Sequence, residues 1–259
     1  MTEEQISLQW LSSILDILRH ECPWDSIQTI DSLRYLTIEE VYELSETIAS
    51  GNRKEMKGEL GDLFMHLLFY AKIANDEGFF GVSDILDSIC QKLIHRHPHI
   101  SLPDRDGIMQ PAKSSETPKW EQVKMQEQRH SVLEGVPANM PPLVKAVRMQ
   151  EKAAGMGFEF PNSEMAHQKV CEEYNEFLEA LNENDKKHAE EELGDLLFAI
   201  VKWARLEGLN ADDALTRANQ KFQQRFSLVE KQALENNKNL SDLTIDELVA
   251  MWNKAKTTK

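Results

Sequence analysis

Two pairs of acids in the second half of the chain stand at helical spacing: Glu173 and Glu176 in KVCEEYNEF, and Glu192 and Asp195 in EELGDLLFA. Residues three apart on a helix project from nearly one face. Two helices packed roughly 8–10 Å apart would therefore direct four carboxylates at a common point. Such a cluster repels itself and gives up hydration, and a cation is the ordinary compensation. Oxygen-only donors select Mg²⁺, Mn²⁺ or Ca²⁺ over zinc, and Mg²⁺ keeps positions for water and phosphate oxygens. A lone EExxE is ordinarily just a solvated helix face. Recurrence argues otherwise here, because Glu39, Glu40, Glu43, Glu59 and Asp62 each find an acid 133 residues on, at Glu172, Glu173, Glu176, Glu192 and Asp195.

Basic and aromatic residues repeat as well. Lys92 and Arg96 in QKLIHR correspond to Lys221 and Arg225 in QKFQQR, and Trp120 and Lys124 to Trp252 and Lys256. Cations one turn apart can grip phosphate oxygens, the Arg in bidentate fashion, and a Trp can stack on a base. Taken singly, these are also ordinary surface charge and ordinary packing. Lys169 precedes Glu173 by one turn where the first half has Leu36, so the second cluster carries an extra cation. A di-iron carboxylate bundle would complete each metal site with Glu-x-x-His pairs. The counterpart of His66 is Ala199, so no His is common to the two clusters.

The elements that hold these residues read as helices. Leu60, Leu63, Phe64, Leu67 and Leu68 follow the i, i+3, i+4, i+7, i+8 pattern of one helical face, and Leu193, Leu196, Leu197, Ile200 and Val201 repeat it. No stretch alternates convincingly with the period of a strand. The expected fold is all-α: two tandem helical modules with four-helix-bundle-like cores, completed by dimerisation. The modules are placed at 1–130 and 131–259, the boundary falling before the turn-prone SVLEGVPANMPP. Within the first, the polar, Pro- and Ser-rich segment 101–118 is expected to be mobile.

Composition narrows the function. A net charge of −15 argues against a polynucleotide ligand, whose binding is built on clustered Lys and Arg. It leaves room for a small polyphosphate held through a metal. No apolar run approaches the roughly 18 residues of a membrane span, and acids stand where a secretory leader would carry basic residues. The three cysteines, Cys22, Cys90 and Cys171, are scattered and odd in number, as expected of a reducing compartment, so a cytoplasmic location is expected.

The motifs CPWDSIQT, TIEEVYEL, GELGDLFMHLLFYA and HRHPH in the first half, with KVCEEYNEF, EELGDLLFA, ANQKFQQRF and MWNKAK in the second, resemble the MazG family of the all-α NTP pyrophosphatase superfamily. The resemblance spans almost the whole chain. It implies hydrolysis of nucleoside triphosphates, ribo or deoxy, to the monophosphate and pyrophosphate, broad in base, with a Mg²⁺ requirement and a homodimer. Carried over, the Mg²⁺ ligands would be Glu173, Glu176, Glu192 and Asp195, with Glu40, Glu43, Glu59 and Asp62 as the second set. Nucleotide contacts would be Lys221, Arg225, Trp252 and Lys256, matched by Lys92, Arg96, Trp120 and Lys124; Lys169 joins them from its position beside Glu173. Glu172 is the candidate acceptor of the attacking water's proton. GMGFEFPNSE replaces CPWDSIQT in the second half, so the two pockets are expected to differ at their entrances. Two readings of other classes are a non-catalytic nucleotide-binding regulator and a helical dimer scaffold. Phosphoribosyl-ATP pyrophosphohydrolase shares the chemistry but not the tandem repeat or the CPWD signature.

Overall fold

In a computed structural model of the chain, residues 2–115, 130–183 and 185–257 are described. The expected contacts Trp120 and Lys124, and residues 116–118 of the Pro-rich segment, lie outside them. The chain is all-α, with nine α-helices among the described residues and a single two-residue strand pair. It divides into two compact units, Met1–Thr117 and Pro118–Lys259. The difference from the boundary expected at 130/131 falls almost wholly on residues outside those described. No described helix is long and apolar enough to cross a membrane.

Unit 1 is built on α1 (Glu3–Glu21), α2 (Ile30–Ser50), α3 (Arg53–Asp76) and α4 (Val82–Arg96). Its core is Leu15, Leu33, Leu68, Phe69 and Ile73, contributed by α1, α2 and α3. Each such fully buried side chain is worth about 1.5–3 kcal/mol of transfer free energy. Arg19 donates to the carbonyls of Asp25, Ser26 and Gln28, fixing the CPWD turn after α1. That turn delivers Thr29, whose hydroxyl accepts from the Ser32 N–H and caps α2. The other end of α2 stops at Gly51, whose φ of 71° suits a residue without Cβ. Asn52 follows at once and caps α3 by accepting from the Glu55 N–H. This short reversal makes α2 and α3 an antiparallel pair and sets their acids face to face.

Within the segment expected to be mobile, β1 (Leu102–Pro103) pairs antiparallel with β2 (Met109–Gln110). The Asp104 carboxylate accepts the N–H groups of Ile108 and Asp106 and the Gln110 amide, and these hold its pKa below the usual range, Ile108 foremost. The backbone N–H groups of Lys113 and Ser114 return to the Pro98 carbonyl.

Unit 2 is built on α5 (Pro142–Gly155), α6 (Ser163–Asn182), α7 (Lys186–Leu206), α8 (Ala211–Glu235) and α9 (Ile245–Thr257). Asn162 caps α6, and Asp185 caps α7 through the N–H groups of Lys187 and His188. Again two helices are joined by a tight reversal. α5 braces α7: the buried Gln150 amide donates to the Phe198 carbonyl at 2.9 Å. Lys152, only 2% exposed, donates to the Val132 carbonyl and ties down the turn that opens the unit.

The apolar stripes read from the sequence are split. Leu68 in unit 1, and Leu196 and Val201 in unit 2, are buried. Leu60, Phe64 and Leu67, and likewise Leu193, Leu197 and Ile200, are exposed by 39–58%. Among the described residues, one side of each helical pair is left uncovered.

Candidate active site

Each helical pair gathers three carboxylates whose oxygens lie within 4.8 Å of one another: Glu40, Glu43 and Glu59 in unit 1, and Glu173, Glu192 and Asp195 in unit 2. The fourth acid of each set stands just outside. Asp62 acts on Glu40 and Glu59 through its charge, whereas Glu176 is hydrogen-bonded to Glu173. Glu40 is held above the ordinary carboxylate range by burial first, then by Asp62, Glu43 and Glu39. Glu59 is raised by loss of water and by Glu43, and Glu176 by loss of water and by Glu173. Carboxylates whose pKa is raised by loss of water and then by one another are deficient in positive charge. Oxygens sharing one Mg²⁺ at about 2.0–2.1 Å lie no more than about 4.2 Å apart, so a small side-chain adjustment closes either set on the ion. The residues fit a hard divalent cation.

The two clusters differ in their cations. In unit 2, Lys169 places Nζ 2.7 Å from Glu172 and 2.8 Å from Glu173, and these bonds raise its pKa. His188, one turn before Glu192, contacts Glu192 at 3.2 Å and Glu183 at 3.1 Å, and its pKa is raised chiefly by Glu183. In unit 1 the repeat puts Leu36 and Glu55 at those two positions; His66 there is buried and bonded through Nδ1 to the Thr37 hydroxyl, which also meets the Tyr70 hydroxyl at 2.7 Å. Burial lowers the His66 pKa.

They differ more in the space beside them. In unit 2 a cavity of about 320 Å³ opens next to Glu173 and Asp195, walled by Phe158, Phe160, Phe198, Ala166 and Ala199, with Lys169, Lys202 and Glu159 supplying charge. Mostly apolar walls with a few convergent polar groups are typical of a small-molecule site. The repeat pairs Ala166, Ala199 and Lys202 with Leu33, His66 and Phe69. All three of these are buried, at 1%, 6% and 4% exposure, and Leu33 and Phe69 belong to the core cluster. Where unit 2 leaves room, unit 1 is packed.

The other expected contacts stand apart from this cavity. Lys221 is exposed and Arg225 half-buried on α8, and Trp252 of α9 packs on Phe222 with ring centroids 5.2 Å apart. Lys256 donates to Asn253. None of the four lines the cavity. Lys92 is exposed and Arg96 half-buried on α4.

Sequence reasoning overlooked Glu159, Phe160 and Lys202. Lys202 pairs with Glu159 at 2.6 Å and lies over the Phe160 ring, and Arg205 pairs with the other Glu159 oxygen. Burial acts to raise the Glu159 pKa, but the bonds from Lys202 and Arg205 outweigh it and the net shift is downward. Two signals were available: GMGFEF replaces the CPWD turn, and Lys202 stands where the first half has the apolar Phe69.

The sequence matches the family model described as the MazG nucleotide pyrophosphohydrolase domain twice, over residues 28–101 and 162–229. These spans carry the two acid clusters. The chain is 36% identical to a nucleoside triphosphate pyrophosphohydrolase of Escherichia coli K12 over 242 residues, covering 91% of this chain and 90% of that protein. It is 37% identical over 261 residues to the nucleoside triphosphate pyrophosphohydrolase/pyrophosphatase MazG of Thermotoga maritima, covering 99% and 98%. It also resembles the uncharacterised Bacillus subtilis protein YabN, at 36% identity over 270 residues, 99% of this chain but 54% of that one.

Proposed function

Since the chain belongs to the MazG nucleotide pyrophosphohydrolase family, we propose that it hydrolyses nucleoside triphosphates at the α–β bond, giving monophosphate and pyrophosphate, with unit 2 as the working site. The observation that carries this reading is the cavity beside Glu173 and Asp195, because it sets room for a nucleoside against a set of metal-ligating acids.

Glu173, Glu192 and Asp195, with Glu176 in reach, would hold Mg²⁺, or Mn²⁺ in its place. When bound, the ion supplies positive charge for the phosphate oxygens and lowers the pKa of a ligated water. Lys169 bridges Glu172 and Glu173, so it fixes both carboxylates and leaves a cation at the edge of the phosphate region. Glu172 is the assigned proton acceptor, exposed and close enough to exchange its proton with solvent after each turnover. The apolar wall excludes water from the nucleoside side of the reacting phosphate. Stacking and apolar contact tolerate every base, which supports broad use of substrates and a role in clearing the nucleotide pool.

Lys221, Arg225, Trp252 and Lys256 are assigned to the nucleotide as well, and a second copy of the chain is proposed to bring them to it. Support comes from the uncovered side of the helical pairs, where Leu193, Leu197 and Ile200 stand in solvent. A cytoplasmic location is proposed from the three free cysteines.

Phosphorus NMR of dNTPs incubated with the protein, with and without Mg²⁺, tests the reaction. Monophosphate and pyrophosphate, formed only with metal, are expected. Diphosphate and orthophosphate would place attack at the wrong phosphorus, and tight binding without turnover would make the chain a nucleotide-binding regulator.

A further inference from the structure

We infer that Lys202 reads the edge of the base, biasing unit 2 toward bases with a carbonyl at purine C6 or pyrimidine C4, guanine, thymine and uracil, over those with an amino group at that position, adenine and cytosine. This rests on the reading that unit 2 hydrolyses nucleoside triphosphates.

Three observations lead to it. The first is position: Lys202 follows Asp195 by two turns of α7, about 10 Å along the axis, with the small Ala199 between them. That span is comparable to the reach of a nucleoside from its 5′ oxygen to the far edge of its base. A phosphate held at the Asp195 end thus puts the base edge at Lys202. The second is the wall: Phe160 carries the Lys202 ammonium 5.5 Å over its ring, so the polar group is set against an aromatic wall of the recess.

The third is the count of donors and acceptors. Lysine carries three N–H donors and no acceptor. One goes to Glu159, at 2.6 Å. That same Glu159 oxygen also accepts the Phe160 N–H at 3.0 Å, and the other oxygen takes Arg205. Glu159 is therefore largely used up as an acceptor, while Lys202 retains donor capacity at the cavity. A donor at the base edge pairs with O6 of guanine or O4 of thymine and uracil, and is opposed by the amino groups of adenine and cytosine. Trp252, which packs on Phe222 and lines no part of this cavity, takes no part in that discrimination.

The test measures kcat/KM for dGTP, dTTP, dATP and dCTP from pyrophosphate release in Mg²⁺. Every protein carries Glu43→Gln, so that turnover in unit 1 does not dilute the ratio. The expected result is that dGTP and dTTP are preferred and that Lys202→Met lowers their kcat/KM by about tenfold, with dATP and dCTP changed by less than about threefold. Lys202→Gln, which can donate or accept, should recover activity on all four. Thermal melts confirm that each variant is folded. A wild-type preference that is flat or favours dATP and dCTP would overturn the inference. So would an equal loss on all four substrates, which would put Lys202 on phosphate or in the scaffold. Absence of hydrolysis of any nucleotide by the Glu43→Gln protein, with Lys202 intact, would instead refute the assignment of hydrolysis to unit 2.

Discussion

Neutralising Glu40 should stabilise the metal-free protein and weaken its response to metal. Glu40 lies within 4.8 Å of ligand oxygens on Glu43 and Glu59 and is half-buried. At that separation two unit charges repel by about 0.9 kcal/mol at the permittivity of water and about 3.5 kcal/mol at an effective value of 20. Solvent reaches the cluster and screens it, so about 1–2 kcal/mol is the reasonable gain from Glu40→Gln in EDTA at pH 7.5. For a protein of this size that corresponds to a rise in Tm of about 2–8 °C. The sign depends on pH. Burial and the neighbouring acids raise the folded-state pKa of Glu40, so its ionisation opposes folding. The penalty is absent below the unfolded carboxylate pKa and complete above the folded one. Wild type and variant should therefore melt together near pH 4 and diverge toward neutrality. With Mg²⁺ at about 100 times its Kd the order reverses, because wild type gains about 2.7 kcal/mol from binding while the variant has lost a ligand. Scanning calorimetry across pH, with EDTA or Mg²⁺, measures all of this. A variant that melts below wild type in EDTA at pH 7.5 would show that the acids hold the helices together rather than straining them.

Glu173→Ala or Asp195→Ala should reduce hydrolysis to below about one hundredth of wild type while leaving the helical circular dichroism intact, since loss of a metal ligand exceeds loss of a group supporting one. Leu197→Glu places a charge on the uncovered side of α7, where Leu197 is 48% exposed; sedimentation should show a shift from dimer to monomer without loss of helix. Glu247, held at a pKa of about 2 by Lys238 and by its capping bonds to Thr244, should support α9 at neutral pH. Because its folded pKa is depressed, that support is complete above the ordinary value near 4.5 and disappears as pH falls through about 2; Glu247→Gln should lower the melting temperature near pH 6 and do little at pH 2.

Helical content and the duplication were legible in sequence, because 3.6-residue periodicity and exact recurrence can be read from the chain without knowing how it packs. The pairing of α6 with α7 follows from the same patterns once Asp185 is seen as a cap. Spacing did not separate three converging acids from four: Asp62 and Glu176 share a face with their neighbours, and only the packing of the helices decides which oxygens meet. The cavity was less visible still. It depends on what is missing, Ala166 and Ala199 in place of Leu33 and His66, and on GMGFEF folding back so that Glu159 reaches Lys202. Nor could spacing show that Lys221, Arg225 and Trp252 would stand away from that recess.

The packed interior of unit 1 and the open recess of unit 2 carry a consequence for cohesion. Leu33 and His66 are buried and make dispersion contacts that the smaller Ala166 and Ala199 cannot supply to the walls facing them. The walls of the recess therefore have less to pack against before a ligand arrives, and the amide protons of α6 and α7 that border it should exchange with solvent more slowly once the recess is filled. On the proposed reading, a nucleotide filling the recess would replace the missing interior. One half of this duplicated chain would then carry its filler in its own sequence, and the other would borrow it from its substrate.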